Sequence, residues 1–289
     1  MKLFYFIIVW ASAVICILPN AAATPDDALF GSRSYAMGGA SRALAASNDA
    51  LLTNPAAIGV IRGYSSIDLL YSFTNINNLG RFGINVVDAK AGPVAGGFAV
   101  TNIRGSGNKY NYFTLGAAYP VIPNLSLGIS VHHIRGTYHA MNEDPQSVKL
   151  YSGDIGICAV LGPYMKIGAV YNNLAKDQND SILPATIGLG TSIAAEAFTL
   201  AADMVMLAKN EKDKSYHVGT EYIVANNIPL RLGWTYRRYQ RANDKNPYEH
   251  LISGGFAWLS QNGSLEASCR RSLARDNNWG CLVAMKLGF

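Results

Sequence analysis

Histidines are the first residues to consider for catalysis, because histidine is the usual general base beside a serine or cysteine nucleophile. None of them accompanies a recognisable nucleophile motif, and the chain has no Gly-x-Ser-x-Gly sequence. The adjacent His132 and His133 point to opposite faces of a predicted strand, so they cannot chelate one metal ion together. We therefore predict that the chain is not an enzyme. The histidines are His132, His133, His139, His217 and His250.

The cysteines also give no sign of a catalytic or metal site. Cys158, Cys269 and Cys281 follow the predicted export signal, and their odd number and wide spacing match neither a disulfide scaffold nor a set of metal ligands. Cys269 and Cys281 face the same way on adjacent predicted strands, which permits a disulfide, but the sequence favours unpaired apolar side chains. We predict no metal and no cofactor.

Polar and charged side chains recur at alternate positions of the predicted strands. Facing a shared lumen, carboxylates and bases would pair with one another and with a plug; the simpler interpretation is the solvated polar lining that such a barrel needs. Members on nearby C-terminal strands form a predicted charge ladder of Glu221, Arg231, Glu266 and Arg270. The whole predicted lumen set is Asp68, Asn85, His132, Asp154, Lys166, Asp203, His217, Glu221, Arg231, Arg237, Glu266, Arg270 and Lys286.

These side chains must be positioned by strands whose apolar residues alternate with small or polar ones. In the clearest case, Leu125, Leu127, Ile129 and Val131 share one face, and serine and glycine occupy the other. Such alternation is typical of strands between lipid and a lumen. Fourteen segments show it: 64–73, 80–89, 93–103, 111–121, 125–137, 151–161, 164–173, 184–194, 197–207, 215–225, 228–238, 249–259, 262–271 and 280–289.

The connections between these segments predict an up-and-down barrel. Tight turns, rich in Pro, Asn and Gly, fall at 90–92, 122–124, 162–163, 195–196, 226–227 and 260–263. Between each pair of tight turns the sequence predicts a longer polar loop, such as 138–150, 174–183 and 239–248. Short periplasmic turns alternating with longer outer loops are typical of outer-membrane barrels. The final residue, Phe289, resembles the signal read by the barrel-assembly machinery.

The composition agrees with a membrane barrel of the Gram-negative type. Hydrophobic residues make up 49% of the chain and charged residues 15%, yet after residue 23 no apolar run approaches the roughly 20 residues of a transmembrane helix. A soluble β-domain would have to cover many outward apolar side chains, and lipid is the simpler partner. The net charge of +5 forms no basic block, so nucleic-acid binding is not predicted.

The N-terminus predicts export. Lys2 precedes an apolar run over 3–18, and the small residues Ala21 to Ala23 suit cleavage before Thr24 better than a retained anchor does. The predicted organisation is therefore a signal peptide over 1–23, a plug segment over 24–63 and a transmembrane β-barrel over 64–289, in the cell outer membrane.

The predicted plug segment is rich in small residues and lacks the strand alternation. Asn or Ser side chains at 47–49 and at Asn54 are placed to cap short helices, the second with Pro55 at the favoured first position. Small residues allow close backbone packing, which suits a segment folded into a lumen.

This segment resembles the start of FadL-type and PorV/PorQ-type outer-membrane proteins. The matching positions are Met37, Gly38, Gly39, Ala40, Asn48, Asp49, Asn54, Pro55 and Ala56. The resemblance implies a plugged barrel of fourteen strands that admits hydrophobic molecules by diffusion or, in the PorV-like branch, assists protein secretion. The chain is much shorter than the FadL-type transporters, and its loops are too brief for their large external hydrophobic groove.

Three functions remain open from the sequence. The first is a passive channel for small hydrophobic compounds, the second a PorV-like partner in protein secretion or assembly, and the third a structural barrel with an occluded lumen. The expected partners are outer-membrane lipid and the barrel-assembly machinery, with a small hydrophobic molecule or a secretion partner according to the function.

Overall fold

The computed structural model describes residues 29–44, 48–60, 63–75, 78–105, 108–138, 145–174, 183–209, 213–238, 248–274 and 278–289. The predicted signal peptide, the first residues of the predicted plug and much of the predicted long loops lie outside these ranges.

The chain forms a closed antiparallel barrel of fourteen strands, which confirms the predicted fold class. Each strand pairs with its neighbours in sequence, and the last strand pairs with the first. Every predicted segment overlaps one observed strand. The strands are β1 Ser65–Thr74, β2 Leu79–Asp88, β3 Ala95–Gly105, β4 Asn108–Ile122, β5 Leu125–Tyr138, β6 Gln146–Leu161, β7 Met165–Asn172, β8 Thr186–Ala195, β9 Phe198–Leu207, β10 Lys214–Val224, β11 Ile228–Arg238, β12 Tyr248–Ser260, β13 Gly263–Ser272 and β14 Trp279–Gly288.

The chain enters β1 and leaves β14 at the end of the barrel that carries the predicted tight turns, which we call the turn end. The opposite end is the loop end, and short turns place the turn end on the periplasmic side. The predicted strict alternation of turn and loop is wrong at two loop-end connections, 75–78 between β1 and β2 and 106–107 between β3 and β4, which are both shorter than the turn-end connection 89–94. Strands β3 and β4 extend further than predicted because they stay paired up to Gly105 and Asn108.

The strand alternation separates an apolar outer face from a filled interior. In β5, Leu127 is 48% exposed and Ile129 is 60% exposed, whereas Ser126 and Ser130 are buried inside. Exposed aromatic side chains lie near both ends of the barrel, for example Tyr119 at the turn end and Tyr151 at the loop end. An apolar band between aromatic girdles is the surface that spans lipid, so the chain is an outer-membrane protein.

Short helices of the N-terminal segment fill the interior. They are α1 Ser32–Ala36, α2 Ala50–Thr53 and a 3-10 helix Pro55–Val60. Asn54 caps the 3-10 helix as expected, because its Oδ1 accepts a hydrogen bond from the amide of Ala56 at 3.2 Å. No side chain caps α2; the Asp49 carboxylate at its start accepts hydrogen bonds from Ser34 instead. No helix within the described residues is long and apolar enough to cross a membrane.

Cys269 and Cys281 form a disulfide, so the preference for unpaired side chains was wrong. The two residues lie directly opposite each other on β13 and β14, with their Cα atoms 4.1 Å apart. Once the register of this hairpin is set, the two sulfurs are neighbours on the outward face. Cys158 is a free thiol, buried inside the barrel.

Candidate functional site: the lumen and its plug

The Met-Gly-Gly-Ala part of the plug motif makes a tight turn against β10 and β11. Gly38 and Gly39 have φ values of +67° and +85°, a conformation that side chains disfavour. The Gly38 carbonyl accepts a hydrogen bond from Thr235 Oγ1 at 2.6 Å. A Cβ on Gly38 would lie 2.8 Å from the backbone nitrogen of Trp234. Met37 and Ala40 are fully buried beside this turn, so both glycines are needed for the close approach.

The segment after this turn is anchored to β9 by Asp203. Asp203 Oδ2 accepts hydrogen bonds from the amides of Ser41 at 2.8 Å and Arg42 at 2.9 Å. The Arg42 guanidinium also donates to the same oxygen at 3.2 Å. A predicted lumen carboxylate therefore holds the plug backbone.

Asn48 and Asp49 hold the next part of the plug. Asn48 Nδ2 donates to Asp68 Oδ1 at 3.0 Å, and Ser66 Oγ donates to Asn48 Oδ1 at 2.7 Å. Asp49 accepts hydrogen bonds from the amide and the hydroxyl of Ser34, which ties α2 to α1. Asn48 thus contacts β1, whereas Asp49 works within the plug.

Asn54, Pro55 and Ala56 lie against β5 and β6. Asn54 Nδ2 donates to the carbonyl of Arg42 at 2.8 Å and to that of Ile157 at 3.2 Å. A Cβ on Gly128 would lie 2.2 Å from the amide nitrogen of Ala56. The 3-10 helix can therefore reach the barrel wall only because the wall carries glycine there.

A chain of ion pairs crosses the interior near the turn end, and we call it the charge chain. Arg33 in the plug binds Glu221 at 2.7 Å, and Arg231 binds Glu221 at 2.6 Å and Glu266 at 2.7 Å. Lys286 forms ion pairs with Glu266 at 3.2 Å and with Asp68 at 3.7 Å. Asp68 in turn accepts a hydrogen bond from Asn48 of the plug. The whole chain is Arg33, Glu221, Arg231, Glu266, Lys286 and Asp68.

Of the predicted ladder, ion pairs bring together Glu221, Arg231 and Glu266. The Arg270 guanidinium lies over the ring of Tyr35 in α1, 4.6 Å from its centroid. Sequence reasoning missed Arg33, because the plug has no periodicity that would orient its side chains. It placed Asp68 and Lys286 in the lumen but not in the ladder, although closure of the barrel sets these two residues directly opposite each other.

The inward phase predicted for the strands agrees with the structure. Lys166 and Arg270 are half-buried, and the other members of the predicted lumen set are buried. His132 is hydrogen bonded to Asp154 at 2.7 Å, and Asp154 also accepts from Ser130 at 2.9 Å. Within the described ranges, no three or more His, Cys, Asp or Glu side chains are grouped as metal ligands.

The lumen also has an apolar side that sequence reasoning missed. Inward-facing Ile103, Tyr112, Ile134 and Val148 of β3 to β6 pack together near the loop end with Leu183, and we call this cluster the apolar lining. Their inward phase was available from the strand alternation, but only polar residues were assigned to the lumen.

The apolar side continues from the lining towards the turn end. There the plug residues Leu51, Leu52 and Ile58 pack against small side chains of the same wall, such as Ala99 and Ala118. Leu29 packs against both groups and joins them. Between the two groups the same wall carries the buried polar side chains Thr114, His132 and Asp154, which are hydrogen bonded in sequence. The wall is therefore apolar near both ends and polar between them.

A cavity lies beside the apolar lining. It is bounded by apolar residues such as Ile134 and Leu183 and by polar ones such as Arg42, His132 and Asp154, and it holds about 540 Å³ including its open mouth. The centre of a water molecule can occupy only about 40 Å³ of it, which is space for a few waters. The plug and its neighbours therefore leave only a small cavity beside the lining.

Fold and site together define a plugged outer-membrane barrel. Its structure is similar to the CymD monoaromatic hydrocarbon channel, with a TM-score of 0.65 and 16% identity over 89% of this chain and 96% of that one. It is also similar to the P. putida toluene transporter TodX, with a TM-score of 0.65 and 13% identity over 90% of this chain and 98% of that one. For a Pseudomonas aeruginosa FadL homologue the TM-score is 0.62, with 12% identity over 94% of this chain and 99% of that one. The chain thus has the FadL-type barrel fold. No family model and no curated protein sequence matches it.

Proposed function

We propose that the protein is a passive channel for small apolar compounds, which enter at the loop end along the apolar lining. The observation that carries this proposal is the inward-facing cluster of Ile103, Tyr112, Ile134 and Val148. Water-filled barrels have polar interiors. An apolar wall at the outer mouth offers little to an ion but favours an apolar solute leaving water.

The contacts of the plug favour passage on the same side. Next to the apolar lining, Leu51, Leu52 and Ile58 meet the wall largely through small apolar side chains. On the opposite side, near the turn end, the plug is held by the Arg33–Glu221 ion pair. Apolar contacts are non-directional and can be replaced by contacts with an apolar solute, whereas a buried ion pair has no such substitute. Small movements of the Leu51, Leu52 and Ile58 side chains would therefore open the apolar side, while the Asn54 hydrogen bond to Ile157 keeps the plug backbone on β6.

The structural comparisons support this function. The similar solved structures are described as channels or transporters for toluene and other monoaromatic hydrocarbons. They give no support to the PorV-like alternative.

Photolabelling with phenyl azide, a small apolar aromatic, tests the proposal. We expect light to attach the probe to Tyr112, Ile134 or Leu183, and excess toluene to suppress this inner labelling. Labelling of outward residues such as Ile129 is the internal control, because it reports partition into lipid and does not saturate. Labelling confined to outward positions would contradict the proposed route and favour a barrel with an occluded lumen.

A further inference from the structure

Four exposed basic side chains lie together on the outward face of the barrel at the loop end. They are Arg104, Lys109, Arg135 and Lys149, on β3, β4, β5 and β6 in turn. Arg104 lies directly opposite Lys109, and Arg135 directly opposite Lys149. We call these four residues the basic cluster.

Such pairing is unfavourable for the sheet by itself. Directly opposite side chains have Cβ atoms about 5 Å apart, and like charges there are destabilising. The only carboxylate in β3 to β6 is Asp154, which faces inwards and binds His132. These strands therefore present their positive charge to the outside without a carboxylate of their own to balance it.

The surface below the basic cluster is graded towards the membrane. Residues that lie directly opposite one another on adjacent strands form a row across the sheet. Asn102 and Asn111 lie in the same row as Arg135 and Lys149, and Asn102 donates a hydrogen bond to Asn111 at 2.7 Å. In the next row towards the turn end, the rings of Phe113, His133 and Tyr151 stack with centroid separations of 6.1 and 4.6 Å.

Below the aromatic row the surface is apolar, with Leu115 and Val131 about as exposed as other lipid-facing residues of the barrel. The order is basic, then aromatic, then apolar. A lipid with an anionic headgroup has the complementary order of charge, interface and acyl chain.

We propose that the basic cluster binds the phosphate groups of lipid A, the phosphorylated glucosamine lipid of the outer leaflet. The loop end faces that leaflet because the short turns are periplasmic. Two cross-strand basic pairs on adjacent strands suit a headgroup with two phosphates, since each phosphate can lie over one pair and relieve its repulsion. This site lies outside the barrel, and its occupation does not depend on the proposed channel activity.

The opposite side of the barrel offers matched control residues. Arg238 and Arg271 also face outwards near the loop end. They do not form two adjacent basic pairs: Arg271 faces Ile252 and Trp279, and Arg238 faces Tyr248 on one side. On its other side, one residue beyond the Ser215–Arg237 pair, lies the single base Lys214. Removing these two arginines changes the net charge by the same amount as removing two arginines of the basic cluster.

Native mass spectrometry of the whole barrel in detergent tests the proposal. Lipid A is titrated against the wild type, against the Arg104→Gln/Arg135→Gln double variant and against the Arg238→Gln/Arg271→Gln control. We expect the first double variant to bind lipid A about tenfold more weakly or worse, because each basic side chain near a lipid surface adds about fivefold in affinity. The control variant should bind like the wild type.

Two further measurements identify the ligand and exclude misfolding. Dephosphorylated lipid A and phosphatidylglycerol should both bind the wild type much more weakly than lipid A. Without lipid, the Arg104→Gln/Arg135→Gln variant should have a melting temperature no lower than that of the wild type, since its like-charge pairs are relieved. Addition of lipid A should raise the melting temperature of the variant by less than it raises that of the wild type. Equal lipid A binding by the two double variants, or equal binding of phosphatidylglycerol and lipid A, would overturn the proposal.

Discussion

At the scale of single residues, the plug is held by side chains that each satisfy several partners. Asn54 joins a plug carbonyl, a plug amide and a carbonyl of β6. Asp203 accepts hydrogen bonds from two plug amides and from the guanidinium of Arg42. Glu221 bridges the plug and the wall, because it binds both Arg33 and Arg231. Buried polar groups of this kind are costly to leave with one partner missing.

Replacing Glu221 with glutamine tests the charge chain. The variant removes the negative charge between two buried guanidinium groups, so we expect the free energy of unfolding to fall by about 3 kcal/mol. The measurement is the unfolding of the barrel in lipid vesicles by increasing concentrations of guanidinium chloride. Glu196→Gln, at the exposed turn between β8 and β9, is the matched control and should change stability by less than about 0.5 kcal/mol. Equal effects of the two variants would show that the charge chain does not stabilise the barrel.

At the scale of elements, the strands follow from the sequence because every second residue meets lipid. The same two-residue period predicted which face of each strand is inward, and barrel closure then follows from the turn pattern. The bounds of β3 and β4 were harder to predict, since their shared connection has no long polar loop between them. The Cys269–Cys281 disulfide depended on the register of one hairpin, which alternation alone does not fix.

A pair of glycine substitutions tests how the plug sits against the strands. Gly128 and Gly254 are both in strands, but a Cβ on Gly128 meets the plug at 2.2 Å, whereas one on Gly254 meets its nearest atom at 3.5 Å. Gly128→Val should therefore displace the 3-10 helix, lower stability by about 1 to 3 kcal/mol and raise ion conductance in a planar bilayer. Gly254→Val should leave both quantities near those of the wild type. If Gly128→Val behaved in the same way, the 3-10 helix would not rest on β5.

At the scale of the whole molecule, the interior has two different halves. The charge chain occupies β10, β11, β13, β14 and β1 near the turn end, and the apolar lining occupies β3 to β6 near the loop end. Sequence alternation located the polar residues of the first half, but it could not show that Arg33 joins them. The second half needed the fold, since Ile103, Tyr112, Ile134 and Val148 come together only when four strands are in register.

If the apolar lining is the route of an apolar solute, uptake by intact cells depends on the side chains of the lining. The initial rate of naphthalene uptake is compared for cells that express the wild type, Ile134→Asn or Leu70→Asn, with heat-modified gel mobility as the check on folding. Both residues are buried and apolar, but Leu70 lies on β1, away from the lining. We expect Ile134→Asn to lower uptake by about threefold or more, because a polar group then faces the solute. Leu70→Asn should keep most of the wild-type rate; equal rates for the two folded variants would show that the solute does not pass along the apolar lining.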